Sequence, residues 1–288
     1  MLNYEAVKNW PFQEIRQTLT KRDTMLYALG VGLSADPMER GPLRFTYEKE
    51  LQALPSMAAV LCTPGSWMVD PKSGIDYLKI VHGEQDVRIH RPLPVEGELR
   101  ARSRVVAVND KGPGKGAVIE QQREVYGPSG ELLATVRQVA FGRGEGGYSQ
   151  QPGARSDDAP AALPSVPDRA PDAELSLTSL PQSALIYRLS GDYNPLHSDP
   201  DVAAKAGFPR PILHGLCTYG MATHAVLKHA CDYDASRIKR MAVRFSSPVF
   251  PGETVKFQMW NGDAGLHLRA RVDERDVVVL NNGWFEIQ

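Results

Sequence analysis

Residues 210–232 read RPILHGLCTYGMATHAVLKHACD and contain the segment that decides the fold. If this segment is helical, its apolar side chains cover more than half of the circumference, which predicts a helix enclosed by other structure. Gly215 and Gly220 would let neighbouring backbone approach this helix closely. The apolar residues are Leu216, Tyr219, Met221, Ala222, Ala225, Val226 and Leu227.

Four strand-like runs follow the predicted helix, separated by turns rich in glycine, proline and charged residues. They lie at 238–250, 253–262, 266–274 and 276–287. One buried helix followed by consecutive antiparallel strands predicts an α+β domain whose sheet curls around the helix, which is the hot-dog architecture. The first half shows the same plan less clearly. Its candidate central helix is at 51–62, and its strand-like runs are at 87–93, 98–108, 117–127 and 131–142.

Two stretches of the first half recur in the second half in the same order. MLYALGVG at 25–32 aligns without gaps with LIYRLSGD at 185–192, an offset of 160 residues. RPLPVEGELRARSRVVAV at 91–108 parallels SPVFPGETVKFQMW at 247–260 with one residue of slippage. We therefore predict a duplicated domain in a tandem (double) hot-dog fold, with an antiparallel sheet wrapped around a central helix in each half.

The composition changes between the two copies. Residues 149–172 consist mainly of proline, alanine, serine, aspartate and glutamine, which is typical of an extended linker. We predict an N-terminal hot-dog domain at 1–148, this linker, and a C-terminal hot-dog domain at 173–288. Because hot-dog units ordinarily pair, we expect the two copies to join their sheets within the chain and the chain to form a homodimer.

The overall composition argues against several classes of protein. Of 288 residues, 42% are hydrophobic and 23% are charged, and the formal net charge is −1, so no chain-wide field favours nucleic acid or a membrane surface. Three cysteines without paired spacing argue against a disulfide framework or a zinc site. The sequence shows no leader, membrane span or peroxisomal tripeptide, so we expect a cytoplasmic protein. We also expect that it uses neither a metal nor a cofactor.

A turn motif, SGDYNPLH, ends at His197. Gly191, Asn194 and Pro195 argue against a continuing helix or strand, so Asp192 and His197 are expected to project from a shaped turn. Pro195 restricts Asn194 to extended geometry and thereby preorganises the turn. A carboxylate and an imidazole on one rigid turn can hold a single water between them, an arrangement suited to general acid–base catalysis.

The motif is part of a longer resemblance. YRLSGDYNPLHSDPDVAAKAGFPRPILHGLCTYG at 187–220 resembles the signature of hydratase 2, the (R)-specific 2-enoyl-CoA hydratase branch of the MaoC-like dehydratases. TKRDTMLYALGVG at 20–32, KIVHGEQ at 79–85, VNDKGPGKG at 108–116 and FGRGEGGYS at 141–149 resemble the N-terminal part of the two-domain eukaryote-type members, which include the hydratase unit of peroxisomal multifunctional enzyme type 2. The resemblance implies reversible hydration of trans-2-enoyl-CoA to (R)-3-hydroxyacyl-CoA in acyl-CoA metabolism, with coenzyme A as part of the substrate.

The resemblance implies catalytic roles for four residues. It assigns Asp192 and His197 as the catalytic pair and Gly215 to the oxyanion site, and Asn194 is suited to fixing the turn or ordering the water. Physical reasoning agrees for Gly215, because an N–H at a helix start is unpaired within the helix and lies at the positive end of the dipole. A glycine there also has no side chain to block an approaching carbonyl.

The first copy does not retain the catalytic pair. At the offset of 160, Gly32 stands where the second copy has Asp192, and Pro37 stands where it has His197. We therefore assign the chemistry to the second copy alone and expect the first copy to widen the acyl pocket.

The resemblance also implies contacts to coenzyme A or the acyl chain. These candidate residues are His82, Gly83, Lys111, Tyr193, Pro195, Leu196 and, on one strand, Arg244 or Phe245. Lys111 is suited to meeting a phosphate, although glycine-rich hairpins also occur without ligands. His82 is equally suited to capping a strand end, and His214 is expected to hold the loop rather than react.

Two other functions are compatible with the same fold. A thioester hydrolase would aim its base at a water near the carbonyl carbon, and a non-catalytic acyl-CoA-binding protein would need no base. The Asn-Pro-Leu-His spacing favours the hydratase, and the presence of both Asp192 and His197 argues against a protein that only binds. The acyl-CoA substrate is the one small-molecule partner expected, and its chain length is not set by the sequence.

Overall fold

Two copies of one α+β unit share a continuous antiparallel sheet in the computed structural model, which describes residues 2–151 and 153–288. Met1 of the predicted N-terminal domain and Pro152 of the predicted linker lie outside the described residues. The strands are β1 Ile15–Leu19, β2 Ile80–Ile89, β3 Gly97–Asp110, β4 Ala117–Tyr126, β5 Leu132–Gly142, β6 Ala173–Thr178, β7 Ile238–Phe245, β8 Thr254–Gly262, β9 Gly265–Val272 and β10 Val277–Ile287. The α-helices are α1 Tyr4–Lys8, α2 Lys21–Gly30, α3 Leu43–Thr46, α4 Ser183–Tyr187, α5 Pro200–Lys205 and α6 Gly215–Ala230. Short 3₁₀ helices span Pro55–Ala59, Trp67–Val69, Pro71–Ser73, Tyr77–Lys79, Tyr148–Gln150, Arg188–Ser190, Pro195–His197, Ala235–Arg237 and Asp273–Arg275.

The order of the strands reflects the duplication. Within the described residues the sheet runs β1-β3-β4-β5-β2-β7-β10-β9-β8-β6, so each half contributes the same five-strand sequence in mirrored order. The halves meet where β2 pairs with β7, with Glu84 opposite Arg244 and Arg88 opposite Arg240. The tandem hot-dog prediction, including the joining of the two sheets within one chain, is confirmed.

The predicted central helix of the second half is α6. Every residue from Cys217 to Leu227 is buried, because the helix is covered both by its own sheet and by the first half. A Cβ added at Gly220 would lie 2.5 Å from a methyl group of Val31 and 3.2 Å from the hydroxyl of Tyr27. Gly220 therefore lets α6 approach the first half closely, as the sequence indicated.

The candidate helix at 51–62 in the first half was predicted too long. Only Pro55–Ala59 is helical, as a 3₁₀ turn. Cys62 then adopts a φ of 49°, which ends the turn, and Pro64 opposes any helical continuation. The first half consequently has a short central 3₁₀ helix where the second half has the 16 residues of α6.

Equivalent residues of the two copies meet across the seam. Tyr27 and Tyr187 are 160 positions apart in the chain, and their ring centroids lie 5.9 Å apart. Leu54 and His214 have the same separation, and both precede the central helical segment of their copy with nearly identical backbone angles (φ −65°, ψ 132° and φ −57°, ψ 132°). The offset found in the sequence therefore describes a real two-fold relation in the fold.

Several strand boundaries differ from those expected. β2 begins at Ile80, whereas the predicted run began at residue 87, because a register shift between His82 and Glu84 breaks the apolar alternation. β7 ends at Phe245, before Pro248, which cannot donate to a ladder. The edge strands β1 and β6 carried too weak a pattern to be predicted.

The predicted linker is ordered by contacts with both halves. Its described residues after Gln150 form neither helix nor strand before β6 begins at Ala173. The Asp157 carboxylate accepts hydrogen bonds from Lys8 Nζ and Val108 N, each at 2.8 Å, and the Arg169 carbonyl accepts from Trp260 Nε1 at 2.9 Å. The domain limits, like the homodimer and the compartment, stay predictions. No helix among the described residues has the length and apolar character needed to cross a membrane.

Candidate active site

The motif SGDYNPLH forms a turn that is held by its own side chains. Gly191 has a φ of 120°, a value that a residue with a side chain rarely adopts. The Asp192 carboxylate accepts from Asn194 N at 3.2 Å, and the Asn194 side-chain oxygen accepts from Leu196 N at 3.0 Å. The second bond caps the 3₁₀ helix Pro195–His197, so the Asn194 side chain helps to fix the turn.

His197 is held as a neutral base. Its Nδ1 lies 2.9 Å from the carbonyl oxygen of Ile212, and because a carbonyl only accepts, Nδ1 carries the proton and Nε2 keeps its lone pair. Burial lowers the pKa of His197, while the Asp192 charge acts in the opposite direction. The ring is therefore unprotonated at neutral pH and ready to take a proton.

His214 supports the turn through a ring contact and a hydrogen bond. Its ring stacks on that of His197 with centroids 3.8 Å apart, and its Nε2 donates to the backbone carbonyl of Asp192 at 3.1 Å. Burial, followed by the effect of His197, lowers the pKa of His214 to about 4. His214 thus holds the loop, as the sequence suggested.

The donor atoms of Asp192, His197 and His214 lie within 4.8 Å of one another, a spacing also found in metal centres. The two imidazole rings are stacked 3.8 Å apart at an interplanar angle of 28°, whereas the ligands of a tetrahedral metal point at it from widely separated directions. This arrangement fits a tetrahedral metal site poorly. The expectation that the site has no metal stays a prediction.

Gly215 is the first residue of α6 and faces the end of β7. A Cβ at this position would lie 3.1 Å from two atoms of the Phe245 ring, so only glycine fits without moving that ring. The first N–H groups of a helix have no intrahelical acceptor and lie at the positive end of the dipole. The geometry suits binding of a developing oxyanion.

A β-bulge explains how His82 reaches the site from the first half. Along β2, Gln85 and Val87 face the core, whereas Glu84 lies on the other face of the sheet, where Arg244 covers it, so regular alternation would place His82 on that face as well. The register shift between His82 and Glu84 reverses this and turns the ring inward, where it meets Phe245 at 4.7 Å between centroids. Burial lowers the pKa of His82 to about 4, against a smaller opposing effect of Asp192.

The remaining candidate residues fall into two groups. Gly83 lies in the bulge, Tyr193 and Pro195 are exposed on the catalytic turn, and Leu196 is half-buried there. Arg244 is not brought to the site, because it lies on the opposite face of β7 from Phe245 and pairs with Glu84 at 2.7 Å. Its contact with substrate stays a prediction without support from this geometry.

Lys111 is exposed at the hairpin between β3 and β4, at the same end of the sheet as His82. Three strand spacings separate β3 from β2, about 14 Å at 4.8 Å each. Its loop packs against the turn of FGRGEGGYS, where a Cβ at Gly146 would lie 2.2 Å from the Gly112 carbonyl oxygen. The glycines in these loops allow the loops to pack together, and Lys111 lies within reach of a ligand as long as coenzyme A.

Sequence reasoning missed one contributor to the site, the carbonyl of Ile212 that fixes the tautomer of His197. No side-chain pattern reveals a backbone acceptor, so only the structure identifies it. The bulge that turns His82 inward left a detectable signal, since the interruption of alternation around Gly83 marks it.

Comparison with known proteins places this site in a family. Residues 17–144 match the model described as MFE-2 hydratase 2 N-terminal domain, and residues 162–282 match the model described as MaoC like domain. An enoyl-CoA hydratase of Mycobacterium tuberculosis named ChsH3 is 39% identical over 92% of this chain and 91% of its own length. A peroxisomal enoyl-CoA hydratase 2 of Arabidopsis thaliana is 39% identical over 93% of this chain and 90% of its own length.

Solved structures agree with these matches. A MaoC-like dehydratase from Phytophthora capsici is 36% identical, superposes with a TM-score of 0.86, and covers 100% of this chain and 99% of its own. A Mycobacterium tuberculosis protein described as having a double hotdog fold has a TM-score of 0.59 at 18% identity, covering 96% of each chain, and supports the fold alone.

Proposed function

The chain belongs to the MaoC-like family, and within it to the two-domain hydratase 2 proteins, and from that premise we propose that it hydrates trans-2-enoyl-CoA to (R)-3-hydroxyacyl-CoA. The observation that carries the proposal is the turn that brings a carboxylate oxygen of Asp192 and a ring nitrogen of His197 within 4.8 Å of each other, while a backbone carbonyl fixes the tautomer of the ring. Dehydration in the reverse direction would use the same groups.

One water is large enough to bridge the two side chains. A carboxylate oxygen of Asp192 and a ring nitrogen of His197 lie within 4.8 Å of each other. A water that donates two hydrogen bonds of about 2.8 Å at a near-tetrahedral angle spans about 4.6 Å. Asp192 and His197 can therefore each accept one O–H of the same molecule, which leaves the oxygen lone pairs free to attack carbon.

The proton is conserved through the reaction. As the water oxygen bonds to C3, Nε2 of His197 takes one proton, and the π electrons of the double bond move toward the thioester oxygen. The Asp192 carboxylate orients the water and stabilises the imidazolium, in keeping with its effect on the pKa of His197. The imidazolium then returns the proton to C2, which restores the neutral base.

The negative charge that develops on the thioester oxygen requires a donor. The N–H of Gly215 at the start of α6 is suited to this role, because it lies at the positive end of the helix dipole with no side chain in front of it. Phe245 and His82 form an apolar and neutral wall beside it. Such a wall excludes water and strengthens the hydrogen bond.

The arrangement of the site favours one product configuration. Both proton-handling groups lie on a single turn, so water and proton reach the substrate from the same side. We expect this side to give the (R) alcohol, because the motif resembles that of the (R)-specific hydratase 2 proteins. The short central 3₁₀ helix of the first half, Pro55–Ala59, leaves more room than α6 would, which supports its proposed role in accepting the acyl chain.

The decisive experiment supplies purified protein with trans-2-enoyl-CoA substrates of increasing chain length. Loss of the enoyl absorbance together with chiral analysis of the product tests the proposal, and we expect (R)-3-hydroxyacyl-CoA. Release of free coenzyme A thiol without 3-hydroxyacyl product would identify a thioester hydrolase instead. Tight binding without either product would identify an acyl-CoA-binding protein.

A further inference from the structure

A second cavity lies at the opposite end of the β2–β7 seam from the catalytic turn. Its volume is about 420 Å³, within the range of about 300–1,000 Å³ that is usual for small-molecule sites. Its walls are the start of the 3₁₀ helix at Pro55, the end of β2 at Ile89, and the turn at Ala235 that leads into β7. The active site, by contrast, lies where β2 begins and β7 ends.

The duplication relates this cavity to the active site. Pro55 and Gly215 are 160 positions apart, and each is the first residue of its central helical segment. The parallel between RPLP and SPVF makes the end of β2 at Ile89 the equivalent, in the first copy, of the end of β7 at Phe245 in the second copy. The cavity therefore has the three walls of the active site, each supplied by the other copy.

Three differences between the copies leave the first copy without this chemistry. At the offset of 160, Gly32 stands where the second copy has the Asp192 carboxylate, and Pro37 stands where it has the His197 imidazole. Pro55 stands where Gly215 offers a backbone N–H, and proline has no N–H to donate. A thioester bound here would meet no counterpart of the Asp192–His197 pair and no N–H at Pro55.

The lining suits a ligand with an apolar chain and an anionic end. Ala53 and Leu93 are buried and apolar, whereas Arg91 and Lys239 lie at the rim. Neither of these two cations is in an ion pair within the part of the chain that the structure describes. Asp234 is the rim carboxylate, and it is bound by the backbone N–H and the hydroxyl of Ser236.

We propose that this cavity binds a second acyl thioester, through its acyl chain and pantetheine arm, without converting it. The choice of ligand rests on the proposed function, because the two-fold relation transfers the substrate class from the active site. The existence of the site rests on the cavity itself.

The test measures binding stoichiometry with a ligand that the protein cannot convert. S-decyl-CoA and S-decyl-pantetheine are thioethers, and equilibrium dialysis against the full chain should give two equivalents bound. Ala235→Trp fills the cavity from its half-exposed wall and should reduce this to one equivalent, with hydration of crotonyl-CoA changed less than twofold. Leu180→Trp, at a side chain 49% exposed and outside the cavity lining, is the matched control and should still bind two.

A second variant keeps the test valid if Ala235→Trp fails to fold. Arg91→Glu reverses one exposed rim charge and should weaken only the second site for S-decyl-CoA, about five- to tenfold at low ionic strength. A single equivalent bound by the wild-type protein would overturn the proposal. Displacement by decanoate alone, with no binding of the pantetheine thioether, would overturn the thioester assignment. If the protein binds two equivalents of the thioether but hydrates no enoyl-CoA, the proposed function is refuted and the second binding site is supported.

Discussion

The water that we propose Asp192 and His197 share predicts that these two side chains act as one unit. Asp192→Asn keeps the shape of the side chain but removes its charge, and His197→Gln keeps a polar group but removes the ring that takes the proton. Each variant leaves the water with one effective acceptor, so the first substitution already destroys the arrangement that the second would attack. The two effects should therefore not add.

The size of the effect follows from the geometry. Donor atoms within 4.8 Å of each other can be bridged by one water, and loss of one charge-assisted hydrogen bond costs about 1.5–3 kcal/mol, or roughly 10- to 150-fold in rate. Loss of proton transfer by a positioned group contributes about 10²- to 10⁴-fold. We therefore expect Asp192→Asn to lower kcat by about 10- to 150-fold and His197→Gln by about 10²- to 10⁴-fold, with KM little changed. The kcat of the double variant should be no more than about tenfold below that of the less active single variant.

The assay follows the loss of enoyl absorbance with crotonyl-CoA, and circular dichroism verifies folding. His224→Gln is the matched control, because His224 is a buried histidine like His197 but lies on α6 and bonds Tyr233. Burial lowers the pKa of His224 to about 4. This control variant should retain near-normal turnover. If the effects of Asp192→Asn and His197→Gln multiply, the two groups do not share one water. If folded Asp192→Asn turns over normally, the assignment of the site is wrong.

Three further predictions concern the surroundings of the pair. Gly215→Ala would push the Phe245 ring by a few tenths of an ångström from its 3.1 Å contact, so kcat should fall about tenfold. Gly215→Val should abolish turnover. Normal turnover of the valine variant in steady-state assays would exclude the oxyanion role. Lys111→Ala should raise KM for the CoA substrate more at low than at high ionic strength. Arg244→Ala should lower the melting temperature and leave KM unchanged, because Arg244 pairs with Glu84. A raised KM with an unchanged melting temperature in Arg244→Ala would show that Arg244 contacts the substrate. Burial lowers the pKa of His197 below 6.5, so kcat should hold as the pH falls through 6.5 and decline only below it; an NMR titration that finds His197 protonated at pH 7 would contradict this.

The sequence was sufficient to predict the elements whose physical pattern is local. The apolar circumference of α6, the alternating strands after it and the offset of 160 were enough to predict a double hot-dog fold. The turn SGDYNPLH also folds as its residue types require, because Asp192 and Asn194 bond the backbone two residues ahead. These features depend on neighbours in the chain, so they can be identified without tertiary information.

The features that were missed depend on distant partners. The charged residue Glu84 interrupts β2 in the sequence, yet it is buried because Arg244 neutralises it from the other half. The inward turn of His82 depends on a bulge that is defined only by pairing with β5. The choice between Arg244 and Phe245 depended on which face of β7 meets α6, which adjacent residues in a sequence do not reveal.

The two copies share one fold, but only the second copy carries the residues to which we assign the chemistry. The second half supplies the carboxylate, the imidazole and the helix start, whereas the first half has Gly32, Pro37 and Pro55 at those positions. Yet the first half is not dispensable to the site, because β2 carries His82 across the seam to the ring of Phe245. The active site is therefore a product of the interface, and a folded second half without β2 would keep the catalytic pair but lose one wall of the pocket in which the pair works. This division explains why we propose one catalytic turn for a single chain with two similar domains.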